Sequence, residues 1–314
     1  SAVIPAQTDR MIVEFYVAVE DELGHRRTFP APSDVDGIPQ QVTNLLFQVD
    51  DSDASELEGL PEGQPIYRLI MTQGEHDRLV QIGDPNFSGD WWASEAMSKA
   101  QMNGTFISSD DEGTKVRYNV GIRNRGNRSR FDPPMNYHVS FRHDRPWQGQ
   151  SALNLNSKYT HCQVIASAFY QMAGIAAQDT IAVQLRVNGA NPAATDPQRT
   201  YGSYAALQVF DGLWAQAHVP DDPDGNLYRC TYDMRHGVRT LADLTYQGLD
   251  PANYWENYHK KTNEELEDWS DLFDLTRTLN DANIPDDDYI DQVGEIVDIE
   301  QWTRFLAADT LVGN

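Results

Sequence analysis

Two stretches decide the reading of this chain: Arg117-Tyr118-Asn119-Val120-Gly121-Ile122-Arg123-Asn124-Arg125 and, after a loop, Tyr137-His138-Val139-Ser140-Phe141-Arg142. Both alternate apolar and polar residues with a period of two, the mark of a strand that buries one face. In the first, Tyr118, Val120 and Ile122 read as the apolar face, and Arg117, Asn119, Arg123 and Arg125 as the polar one. In the second, Tyr137, Val139 and Phe141 oppose His138, Ser140 and Arg142. The connection, residues 126–136, holds Asn127, Asp132, Pro133 and Pro134, which predicts an irregular polar loop between two strands.

This hairpin is also where the positive charge lies. Lys115, Arg117, Arg123, Arg125, Arg128, Arg130, Arg142 and Arg145 are opposed locally only by Asp132 and Asp144, in a chain with 24 Lys and Arg and a net charge of −24. Arginine suits planar, bidentate contact with phosphate or carboxylate, so the hairpin reads as an anion site. The competing readings are a solvated strand face, or a patch that docks on an acidic face of the same chain. The carboxyl-terminal region has the opposite balance: residues 250–314 set seventeen Asp and Glu against Lys260, Lys261, Arg277 and Arg304. Its cluster Asp286-Asp287-Asp288 reads as a solvated loop.

Upstream, residues 11–30 read as a β-hairpin, with Val13, Phe15, Val17 and Val19 on one face and a turn at residues 21–24. Residues 33–65 are rich in Asp, Ser, Gly and Pro and read as a connector with one apolar segment, Leu45-Leu46-Phe47. Residues 66–71 read as a strand, and Trp91-Trp92 as an anchor to a core. Downstream, residues 158–173 predict a helix whose stripe is Cys162, Ile165, Ala166, Phe169 and Ala173. Strands follow at 181–187 and 204–210, and a turn at Asp221-Asp222-Pro223-Asp224-Gly225-Asn226. The last sixty residues are helical: Thr262 with Glu265 predicts a capping box for one helix, and Asp298 with Gln301 predicts the cap of the last. Strands first and helices second indicate an α+β fold with segregated parts.

Composition excludes several classes. Hydrophobic residues make up 40% of the 314 and aromatics 10%, which supports a packed core and argues against disorder. No apolar run nears the roughly 20 residues that span a bilayer, and the amino terminus does not read as a signal peptide. The acidic field disfavours nucleic acid and anionic lipid as partners. Cys162 and Cys230 read as buried free thiols rather than a disulfide. The eight His form no spaced zinc signature, and there is no Walker loop or G-x-S-x-G. His138, predicted on the same face as Arg142, is the one histidine of interest.

Residues 118–130, Tyr-Asn-Val-Gly-Ile-Arg-Asn-Arg-Gly-Asn-Arg-Ser-Arg, resemble the G-x-R-x-[RK]-G-N-x-S motif of the spore coat protein H (CotH) family. Further pieces follow in the family's order: Ile66-Tyr67-Arg68-Leu69-Ile70 as entry strand, Leu153-Asn154-Leu155 before the long helix, Val187-Asn188-Gly189 ending a strand, Gly225-Asn226-Leu227-Tyr228-Arg229, and the final helix with Val297-Asp298, Phe305-Leu306-Ala307, Leu311 and Asn314. The resemblance implies an atypical protein-kinase-like, two-lobed α+β fold over residues 66–314, with a β-rich first lobe and a helical second part. Residues 33–65 would connect it to the tail of a fibronectin-like β-sandwich module at residues 1–32. It also implies a secreted or cell-envelope protein whose parent moves phosphate from ATP, with Mg²⁺, to Ser or Thr of a protein substrate or coat partner.

On the resemblance, Arg125, Gly126, Asn127, Ser129 and Arg130 would form a phosphate-facing loop, with Arg123 assisting from the strand face. Gln208 stands where the family's Y-x-x-x-E has Glu, and Arg229 where G-N-L-Y-K has Lys. A family lysine after the loop has no counterpart among Pro134, Met135, Asn136 and Tyr137. The family's aspartates, N-x-D and W-D, are expected beyond Asn314. The chain is therefore expected to hold no catalytic residue and no metal ligand, and to be inactive alone. The rival expectation from another class is a non-catalytic binding or scaffold module that uses the arginine face. A purely structural adhesion segment is the third.

Overall fold

The structure is a computed structural model that describes residues 4–51, 63–82, 84, 98–126, 128–194, 202–233 and 240–313. Trp91 and Trp92 lie outside the described residues. The chain divides into two compact units, one made of Ser1–Val164 and Thr180–Val209, the other of Ile165–Asp179 and Phe210–Asn314.

The first unit runs β1 (Ile12–Phe15), β2 (Val17–Glu20), β3 (Arg26–Phe29), β4 (Ser33–Val35), β5 (Ile38–Gln40), β6 (Leu45–Gln48), β7 (Ile66–Ile70), α1 (Gln73–Ile82), β8 (Met102–Asp110), β9 (Gly113–Asn124), β10 (Tyr137–Ser140), β11 (Ala152–Asn156), the start of α2 (Thr160–Met172), β12 (Thr180–Val187) and β13 (Ser203–Gln208). Seven strands close into a barrel in the order β10-β11-β13-β12-β7-β8-β9. Neighbours are antiparallel except β7 and β12, which are parallel. Closure follows from patterning: each strand turns an apolar row inward, so Leu69, Phe106, Val120, Ile122, Val139, Leu153, Leu155, Val183, Leu185 and Tyr204 meet in one buried cluster. The expected α+β class holds. Its strand-rich part is a closed barrel, which alternation along single strands does not reveal.

The polar face of β9 needs one correction. Asn119 takes a positive φ of 55°, and the pairing slips there, so that Gly104 faces Val120 while Thr105 faces Tyr118. Such a bulge reverses which side each residue faces. Tyr118 therefore turns away from Val120 and Ile122 and packs edge-on against Phe15, with ring centroids 5.7 Å apart. Arg117 sits across from the inward-facing Phe106, in the opposite row from Arg123.

The amino-terminal hairpin is also shorter than expected. β2 and β3 pair, but β1 pairs with β6, the apolar segment of the stretch read as connector. Leu45 and Leu46 of β6 are buried. The Thr105 hydroxyl of the barrel donates to the Leu46 carbonyl at 2.6 Å, which ties β6 to the barrel.

Burial of barrel tyrosines sets an alkaline limit. Tyr137 is pushed from 10 up to about 12 by burial, and Tyr67 is raised further by burial and then by the charge of Asp110. Both phenols are held neutral in the fold, so the unfolded chain releases these protons first. Their contribution to stability is complete below pH 10 and is lost as pH rises toward 12. Tyrosinate absorbance and circular dichroism, followed together, should show these two phenols ionising only with unfolding. Ionisation of all tyrosines near pH 10 with the fold intact would contradict this.

The second unit holds the rest of α2, then α3 (Gly212–His218), β14 (Tyr228–Cys230), β15 (Tyr232–Asp233), β16 (Thr240–Leu241), β17 (Tyr258–Lys260), α4 (Ser270–Leu279), α5 (Asp286–Gly294) and α6 (Ile299–Val312). Its core is Tyr254, Tyr258, Trp269, Leu272 and Phe273. The capping box at Thr262 does not form. Its hydroxyl donates to the Gly225 carbonyl at 2.7 Å and accepts from the Leu227 amide at 2.8 Å, so it secures the turn before β14. Lys260, buried, donates to the carbonyls of Leu266 and Asp268 at 3.1 and 2.6 Å and delays the helix to Ser270. The Asp298 cap forms as expected, accepting from the Gln301 amide at 2.9 Å. Asp286, Asp287 and Asp288 make the first turn of α5 rather than a loop, where they face the positive end of the helix. α2 forms where predicted, yet none of its residues is buried and Ile165 is 65% exposed. Cys162 and Cys230 are free, as expected, but exposed rather than buried.

Candidate phosphate-binding site

The loop at the end of β9 is fixed by its backbone first. The Arg125 amide donates to the Asn136 carbonyl at 3.0 Å and closes the neck of the loop. Gly126 follows with φ +103°, and a Cβ there would lie 2.3 Å from Ser129 Oγ. Both the conformation and the space admit only glycine. The chain then makes a 3₁₀ turn, Arg128–Phe131. Asn136, buried, donates to Ser129 Oγ at 3.3 Å and accepts from the Ser157 amide at 2.7 Å. The Ser157 hydroxyl donates to the Pro134 carbonyl at 2.6 Å. These bonds fasten the loop to the end of β11.

Arg130 is the pin beneath. It is only 3% exposed, and its guanidinium donates to the carbonyls of Gly126 at 3.0 Å, Ser98 at 3.1 Å and Asn124 at 3.4 Å. Burial, and then the positive charge of Arg123, hold it below the usual arginine range. Its donors hold main chain in place, which makes it a positioning residue for the loop.

The half-buried donors of the outward face are elsewhere. Arg123 lies opposite His138, and His138 opposite Asn154, in one row across β9, β10 and β11. His138 Nδ1 and Asn154 Oδ1 are 2.8 Å apart. Arg125 bonds Asn156 in the next row, and Asn156 donates to Gln163, in the first turn of α2, at 2.6 Å. Lys158 pairs with Asp132 and donates to the Pro133 carbonyl at 3.2 Å, so a lysine does reach this loop, from the far end of β11. Asn154 and Asn156 alternate with Leu153 and Leu155. The same period-two reading finds them once β11 is recognised as a strand. Lys158 and Gln163 leave no such signal.

The structure thus brings Arg123, Arg125, Gly126, Ser129 and Arg130 together at one end of β9, while Asn127 lies outside the described residues. Gln208 sits across from Leu153, buried, on the inward row and therefore on the other face of the sheet from Arg123 and Asn154. Arg229 belongs to the second unit, exposed on β14 opposite His259. Two guanidiniums on an outward face, flanked by His138 and neutral amides, make a surface suited to charge-assisted bonds with an oxyanion. No group of three or more His, Cys, Asp or Glu able to hold a metal ion occurs among the described residues. No helix of the described residues is long and apolar enough to cross a membrane.

The profile of a protein family described as CotH kinase protein matches residues 122–314. A search of curated proteins finds no match.

Proposed function

Because the chain belongs to the CotH kinase protein family, we propose that it is the phosphate-handling part of a protein kinase that uses ATP and modifies Ser or Thr hydroxyls. The hydroxyl oxygen of the acceptor would form a bond to the γ-phosphorus. The bond to the bridging oxygen of ADP would break, ADP would leave with the electron pair, and the hydroxyl proton would be released to solvent. Such a transfer needs positioning and charge stabilisation more than covalent help from the protein. The observation that carries the reading is the end of β9, where Gly126 and Arg130 shape a loop that sets Arg123 and Arg125 outward beside His138 and Asn156. Arg123 and Arg125 are assigned to the phosphate oxygens of ATP. Mg²⁺, when bound, would neutralise phosphate charge. With no suitable acidic cluster among the described residues, no residue is assigned to it. The matched range begins inside β9, but the barrel closes only with β7 and β8, so the domain is proposed to start at Ile66. A protein acceptor outside the cell or at its envelope remains the expected partner, on the resemblance and the net charge of −24.

The test is ATP affinity with Mg²⁺ present, read with a fluorescent ATP analogue and confirmed by competition with ATP. Replacing Arg125 with Gln is expected to weaken binding about tenfold, the loss of one charge-assisted contact. Unchanged affinity in Arg125→Gln and Arg123→Gln would remove both residues from the nucleotide site.

A second reading, a binding module that keeps the fold without phosphoryl transfer, is favoured by one observation. Gln208 is neutral and buried where the family pattern carries Glu. Detection of phosphate on a Ser-rich acceptor protein by intact mass would decide against it.

A further inference from the structure

The slip at Asn119 turns Arg117 to the side of Arg142 and Arg145, away from the loop. Arg117, Arg142 and Arg145 line one depression with Phe29, Tyr118 and Val120, all within the first unit. We propose that this depression is a second oxyanion site, and that its ligand is a phosphoserine side chain on a peptide.

The arginines are held in different ways. Arg142 is gripped on two sides: Nε and Nη2 donate to the two oxygens of Asp144 at 2.9 and 2.8 Å, and the guanidinium stands 4.7 Å from the centre of the Phe29 ring. Arg117 spends Nε and Nη2 on the Pro146 carbonyl at 3.1 and 3.0 Å and Nη1 on the Val116 carbonyl at 3.2 Å, which fixes its plane. Arg145 is exposed, and its side chain makes no hydrogen bond among the described residues. Two of the three guanidiniums are therefore oriented before any ligand arrives, which reduces the cost of ordering them on binding.

Charge selects the ligand. Three guanidiniums against the single carboxylate of Asp144 leave two positive charges around the depression. A phosphomonoester carries about −1.5 to −2 at neutral pH and offers three acceptor oxygens. A carboxylate brings one charge and leaves the repulsion between guanidiniums half relieved. The exposed Phe29 ring at the side of the depression suits a peptide with an aliphatic residue beside the phosphoserine. The site shares no side chain with the loop around Arg125, so it neither requires nor supports the ATP assignment.

Fluorescence anisotropy on the whole chain tests this with a labelled peptide bearing one phosphoserine next to leucine, beside its Ser and Asp counterparts. The phosphoserine peptide should bind at least about tenfold more tightly than either counterpart, and Arg145→Gln and Arg142→Gln should each weaken it about tenfold. Arg125→Gln should leave it unchanged. Equal binding of the three peptides, or binding indifferent to both Arg142→Gln and Arg145→Gln, overturns the proposal. Displacement of the peptide by an equal concentration of inorganic phosphate overturns the peptide part and makes free phosphate the ligand. Weakening by Arg125→Gln alone moves the ligand to the loop site. Arg145 is exposed and makes no hydrogen bond, so its replacement leaves the fold intact and the result interpretable.

Discussion

Arg130→Met is expected to lower the stability of the first unit by about 3–5 kcal/mol, because buried carbonyls that lose their donor cost roughly 1–3 kcal/mol each. The guanidinium serves the carbonyls of Ser98, Asn124 and Gly126 at once, and a methionine of similar length fills the space while withdrawing its donors from all three, of which Asn124 keeps the bond from Arg123 Nη1 at 3.3 Å. Arg130→Lys should recover little, because a single ammonium cannot reach acceptors laid out for a planar fork. Urea denaturation reads the effect as a lower midpoint with an unchanged slope. The experiment also separates two roles. If Arg130 faced solvent as a phosphate ligand, its replacement would change stability by no more than about 0.5 kcal/mol, as ordinary surface changes do. A change that small would require the loop to be redrawn.

Trp147→Ala should cost a comparable amount, about 3–5 kcal/mol, for a different reason. Trp147 is 2% exposed. Its ring centroid lies 5.4 Å from those of Tyr67 and Phe106 and 6.0 Å from that of Phe141, so the indole plugs the barrel interior among three other aromatic rings. Its Nε1 donates to the buried Ser108 hydroxyl at 3.0 Å. Truncation opens a cavity bounded by rings that cannot collapse into it, and strands the Ser108 oxygen. Trp147→Phe keeps most of the volume but loses the hydrogen bond, and should cost roughly 1–3 kcal/mol. A thermal shift with Trp147→Ala no larger than with Trp147→Phe would mean that packing contributes little here.

The two strands that frame the loop were legible because each buries one face, so Val120, Ile122, Tyr137 and Val139 alternate without ambiguity. The bulge was not. It depends on Asn119 adopting φ 55°, which asparagine tolerates more readily than most residues but does not announce. One residue of slip is enough to move Arg117 from the row of Arg123 into the depression lined by Arg142. The charge of residues 123–130 could be counted, but not its division of labour. A guanidinium satisfied by main-chain carbonyls, as in Arg130, has the same sequence signature as one that faces solvent. Thr262 shows the same limit for capping: the pattern with Glu265 was present, and a tertiary bond to Gly225 took the hydroxyl. Ring closure was beyond reach because it rests on β7 and β12 lying side by side, and nothing in either segment names the other.

That parallel pair has a bearing on how the protein is made. Ile66 lies opposite Gln184 and Leu69 opposite Val187, so β7 leaves the ribosome long before the strand that completes its hydrogen bonds. At about 5–20 residues per second, the delay is on the order of ten seconds. During that time β7 and β8 can form their antiparallel ladder, but one edge of β7 stays unpaired and its apolar row uncovered. A nascent chain in that state is a template for pairing with another. The seam between β7 and β12 is therefore where a folding helper, or misassembly between neighbouring nascent chains, would act first.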